Sequence, residues 1–89
     1  MNFYLIHCGY YEKEISNGIY ELHINIPIVA ENLEAAKMKV RQLDVFVKKK
    51  MHIDGIQEIK TVSGYRIELI LDSSQNQHNV IVNHLHRDL

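Results

Sequence analysis

Six histidines, eleven acidic residues and one cysteine are the groups in this 89-residue sequence whose types could carry chemistry. Two pairs stand out by spacing. Glu21 and His23 are one residue apart, as are His52 and Asp54, and in an extended strand such partners project from the same face. An imidazole beside a carboxylate suits proton transfer, polar-ligand recognition and metal coordination alike. Arg66 and Glu68 repeat the spacing next to Tyr65. A polar site built from two such strands has His23, His52, Asp54, Tyr65 and Arg66 as its expected ligand-binding residues. The competing reading of these side chains is an ordinary wet sheet face, which antiparallel sheets commonly present.

Other constellations carry less. His52-x-Asp54 and His84-x-His86 each offer two metal ligands, whereas a zinc site needs three or four, so the spacing predicts no metal and no cofactor. Cys8 could act as a nucleophile with His7, His23 or His52 as base, but no cysteine-enzyme signature surrounds it. A buried apolar thiol on a strand is the reading preferred. Lys37, Lys39, Arg41, Lys48, Lys49 and Lys50 gather six of the ten basic residues into a short stretch. The net charge is nevertheless -1, and no aromatic but Phe46 is interleaved, so a solvated helix face is expected and no nucleic-acid partner. Gly9, Gly18, Gly55 and Gly64 are isolated, which rules out a glycine-rich phosphate loop. No stretch approaches the roughly twenty apolar residues that span a bilayer, so no membrane partner is expected. The lone cysteine and the absence of a basic, apolar leader at Met1 to Ile6 predict a cytoplasmic protein.

The scaffold for these residues is a sheet. Twelve Ile and seven Val against three Ala favour strands, because β-branched side chains fit a pleated surface. From Glu21 to Ala30, Leu22, Ile24, Ile26, Ile28 and Ala30 alternate with Glu21, His23, Asn25 and Pro27. Pro27, lacking a donor, puts this strand at an edge or interrupts its pairing there. Asn2 to Cys8 is apolar on both faces and suits the middle of the sheet, and Asn17-Gly18 predicts a two-residue hairpin between the two. Helical spacing occurs over Asn32 to Val47, with Asn32 as N-cap, Glu34 at the positive end and Lys48 to Lys50 at the negative end. His52 to Val62 and Tyr65 to Leu71 form a hairpin turned at Ser63-Gly64. Its first arm loses strict alternation, which predicts a bulge or bend near Gly55. After Asp72 a polar run precedes Val80, Ile81, Val82, Leu85 and Leu89, readable as a short helix or a strand.

Three stretches together resemble the bacterial family called domain of unknown function 1543: ELHINIPIVAENLEAA at Glu21 to Ala36, MHIDG at Met51 to Gly55 and VSGYRIEL at Val62 to Leu69. Ile24 and Ser63 stand where that family commonly carries Asp. The resemblance implies the same strand, helix and hairpin order and no particular activity. Tandem copies in some members imply that a single-copy chain pairs with itself.

The expectation is therefore an α+β domain over residues 1–71, a predominantly antiparallel sheet of about four strands with one amphipathic helix on one face. The order is ββαββ, followed by a linker and tail over 72–89 that docks on a partner subunit. A ferredoxin-like arrangement with the tail as second helix is the alternative. Two functions fit: a non-catalytic module that self-associates as a homodimer, or a small-ligand binder or enzyme with a polar site near His23, His52 and Asp54.

Overall fold

The segments with the strongest alternation form the longest strands. In the computed structural model, which describes residues 1–74 and 79–89, β1 (Asn2–Tyr11) and β2 (Glu21–Ala30) pair antiparallel along their whole length. β3 (His52–Glu58) pairs antiparallel with the other side of β1, giving the order β2-β1-β3. The apolar first strand is thus central, and the strand with Pro27 lies at an edge, where a missing donor costs no ladder bond. Tyr4, Ile6 and Cys8 of β1 and Ile26, Ile28 and Ala30 of β2 are buried on one face. Ala36 and Val40, from α2 (Leu33–Arg41), and Met51 complete this core. Burial of each large aliphatic side chain contributes about 1.5–3 kcal/mol. Asn32 caps α2 through a 2.8 Å bond from the Ala35 N–H to its Oδ1, satisfying a donor that the first turn leaves free.

The α+β class follows, with differences of detail. The expected helix over 32–47 is two. It stops at Arg41, Leu43 is extended (φ -69, ψ 140), and α3 (Asp44–Lys48) starts anew. This change of direction lets Leu43 and Phe46 pack against the core. The Asn17-Gly18 turn is not a two-residue hairpin: a one-turn helix, α1 (Lys13–Ser16), precedes it. Asn17 (φ 54) and Gly18 (φ 72) then reverse the chain in the left-handed region that these residue types tolerate.

Three strands, not four, form the main sheet. β4 (Thr61–Val62) and β5 (Tyr65–Arg66) make a separate two-stranded ribbon turned at Ser63 and Gly64. The reason lies in register. Tyr4 faces Glu58 and the Ile59 N–H still reaches the Phe3 carbonyl at 2.9 Å, so Lys60 already faces Asn2, where β1 begins. Thr61 and its successors run past the central strand. Among the described residues the tail forms neither the expected helix nor a strand, and His86–Asp88 makes a 3-10 turn. Residues 75–78 of the polar run lie outside the described residues.

The irregularity expected near Gly55 is present: His7 faces Gly55 but Cys8 faces Ile53, leaving Asp54 as an extra residue. Strict alternation would turn Ile56 to the outer face. Inserting Asp54 keeps both Ile53 and Ile56 against the core and sends Asp54 outward beside His52. No helix of the described residues is long and apolar enough to cross a membrane.

Candidate functional site

The face of the sheet opposite the core has two halves. Near its Asn2 end it is apolar, with Phe3 facing Val29 and Leu5 facing Pro27. Towards Tyr11 it is polar. There Gly9 of the central strand faces His23 on one side and His52 on the other, so the two imidazoles flank a residue without a side chain. Glu21 and Asp54, each two residues from a histidine on the same strand, close the group. His23 Nε2 lies 2.7 Å from Glu21 Oε1 and 2.8 Å from Asp54 Oδ2, and His52 Nε2 lies 2.9 Å from Glu21 Oε1 and 3.1 Å from Asp54 Oδ1.

These four contacts come from two Nε2 atoms, each carrying at most one hydrogen, so they outnumber the available donors. The atoms converge as lone-pair donors as much as they pair as hydrogen bonds. One atom each from Glu21, His52 and Asp54 lies within 4.8 Å of the other two. Gly9 is the floor of this basin and is buried beneath it. A Cβ there would come within 2.6 Å of Asp54 Oδ2 and of His52 Nε2, and closer still to Glu21 Oε1. Its backbone is extended strand, so the glycine serves clearance and not a left-handed turn. Glycine within a strand costs about 0.5–1 kcal/mol relative to Ala.

Neighbouring side chains hold the group in place. The Tyr11 hydroxyl donates to Glu21 Oε2 at 3.2 Å. His7 stacks on His23 with centroids 4.6 Å apart and planes 4° from parallel, and its Nδ1–H donates to Asn25 Oδ1 at 2.7 Å. The Glu21 carboxyl is held down at about 2, first by its hydrogen bond with the Asp54 carboxyl, then by the bond from His52, with Tyr11 adding to it. Tyr11 is pushed up by the bond to Glu21 and by that carboxylate's charge. All four central side chains stay accessible, from 28% of the surface of Glu21 to 45% of that of His52, so an ion or small molecule can reach them.

Of the residues singled out by spacing, His23, His52 and Asp54 come together, with Glu21 as the fourth. Tyr65 and Arg66 do not join them. They sit on the β4–β5 ribbon, where Arg66 Nη2 donates to Glu68 Oε1 at 2.7 Å. Cys8 points into the core, on the opposite face from His23 and His52, and burial followed by the charge of Asp54 raises its thiol pKa, against any role as a nucleophile. Gly9 and Tyr11 were missed as site residues because β1 was expected to stop at Cys8. The alternation of the strand through Tyr11 is the signal that would have found them.

The match to known families covers both strands that carry the acid–histidine pairs: the family described as Domain of Unknown Function (DUF1543) matches residues 19–69, more than half of the chain. The chain belongs to this family. No curated protein and no solved structure matches it. Glu21, His23, His52 and Asp54 all lie inside the DUF1543 match, whereas Gly9 and Tyr11 precede it.

Proposed function

We propose that this DUF1543 domain is a non-catalytic binding module that holds a divalent transition-metal ion of the zinc class through Glu21, His52 and Asp54. The observation that carries the reading is the convergence of their three ligand atoms above Gly9, where any side chain would occupy the same space. Mixed imidazole and carboxylate donors favour zinc, cobalt, nickel or copper over magnesium or calcium, which prefer oxygen alone. Three protein ligands on an accessible face leave further coordination positions to water or a small anion. His23 bridges the two carboxylates and His7 stacks on it, the supporting role that groups behind metal ligands commonly play. A cytoplasmic setting belongs to the same proposal and rests on the single, unpaired cysteine.

Titration calorimetry of the untagged chain with zinc and with cobalt tests this. One ion per chain is expected, with affinity falling at lower pH because protons compete for the ligands. His52→Ala and Asp54→Ala should each weaken binding more than about 100-fold, since loss of merely supporting groups already costs about 10–100-fold. Gly9→Ala should abolish binding while the circular dichroism spectrum is kept, because the atoms in its way are ends of movable side chains. A chain with both His84→Ala and His86→Ala should bind as before. Absence of binding, or binding that survives His52→Ala and is lost with the tail histidines, would defeat the proposal.

A further inference from the structure

Residues 61–74, 79–87 and 89 are all exposed. Ile70 and Leu71 are 88% and 92% exposed, and Val80, Ile81, Val82, Leu85 and Leu89 are exposed as well. Solvent exposure of so many large apolar side chains in one short stretch marks a surface that is covered in use. At the same time β3 is an edge strand, paired only with β1 among the described residues. Ile59 turns its N–H to Phe3, so the alternation of an antiparallel strand turns the N–H groups of Glu58 and Ile56 to the open side.

The two unpaired elements belong to one hairpin. Thr61 faces Arg66 and the Ile67 N–H donates to the Lys60 carbonyl at 2.8 Å, and continuing this register would bring Glu68 and Leu69 beside Ile59 and Glu58. The ladder instead stops at Ile67. The open edge of β3 and an apolar segment, residues 67–71, whose register fits it therefore both exist in every copy of the chain, unjoined.

We propose that a second copy of this chain covers them: the segment 67–71 of each protomer adds a strand to the β3 edge of the other, as a two-fold homodimer. The reciprocal arrangement needs one self-complementary surface, and exchanged elements reuse pairing already encoded within the chain. A net charge of -1 per copy opposes this association only weakly. In the same register residues 67–71 lie opposite Lys60 to Ile56 and end short of Asp54 and His52, so the interface does not depend on a metal in the basin.

Sedimentation of the full chain in chelator at micromolar concentration should give about twice the mass of one chain. Amide hydrogen exchange should show Ile56 and Glu58 protected, with protection that falls on dilution. In the double variant Ile70→Glu and Leu71→Glu, whose side chains are exposed in the single chain, both the dimer and the protection should be lost while the far-ultraviolet spectrum stays. A monomer, protection independent of concentration, or a dimer that persists in the folded double variant would each overturn the proposal. Concentration dependence in the unaltered chain keeps the test decisive if the variant does not fold.

Discussion

Residues 2–58 and residues 61–89 use the same apolar residue types to opposite ends. In the first region alternating Ile, Ala and Tyr face α2 and are buried. In the second, Ile67 and Leu69 are only partly covered and Ile70 and Leu71 are almost wholly exposed, and none of the four joins the core. The difference is not hydrophobicity but the presence of a second layer: α2 packs on β2 and shares a core with β1, whereas among the described residues no helix covers the ribbon, whose residues are all exposed. Alternation prepares a face, and only a covering element makes it a core.

The sharpest way to break this comparison is a pair of truncations. Ile6→Ala removes most of a fully buried side chain on the central strand and should cost about 2–5 kcal/mol. Leu71→Ala in dilute solution should change stability by no more than about 0.5 kcal/mol. Urea denaturation of both variants reads the contrast, and equal losses in dilute protein would mean that the C-terminal segment packs on its own chain.

A smaller effect concerns the layer itself. Asn32→Ala removes the bond that starts α2 and should cost about 1 kcal/mol, lowering the melting temperature by about 4–8 °C for a domain of this size. An unchanged melting temperature would show that packing of Ala36 and Val40 alone sets the start of the helix.

The smallest effect separates the regions by pH. Glu21 is held at about 2 against an ordinary 4.5, so its stabilising contribution is complete above pH 4.5 and is lost as the pH falls towards 2. Acid titration of thermal stability should therefore be flatter in Glu21→Gln than in the unaltered chain over that window. Asp72 is also lowered, by the hydroxyl and backbone N–H of Ser74, but this bond spans two residues and forms without the rest of the fold. Asp72→Asn should leave the acid profile nearly unchanged, and an equal response from both would mean that Glu21 owes its shift to local structure alone.

Much of the site was legible because strand geometry is local. The one-residue spacing within Glu21/His23 and within His52/Asp54 puts each pair on one face whatever the tertiary structure. Joining the pairs required pairing register: only when Gly9 stands opposite both His23 and His52 do the four side chains meet. Tyr65 and Arg66 were drawn into the expected site by a hairpin continuous with the sheet, and register again excluded them, since the chain outruns β1 at Lys60. The helix break at Leu43 was hidden because the apolar stripe runs through it, and packing of Leu43 and Phe46 on the sheet outweighs helical continuity there.

Residue order alone therefore determined the strands from Asn2 and Glu21, the helix that starts after Asn32 and its cap, the central place of the first strand, the edge strand with Pro27 and the irregularity near Gly55, because each depends on side-chain shape, period or backbone chemistry over a few neighbouring residues. Tertiary structure decided the number of strands in the sheet, the splitting of the helix and the meeting of two distant acid–histidine pairs over a glycine. Those features depend on which residues stand opposite one another across the ladder, and register is settled by the cooperative burial of one whole face rather than by any local segment.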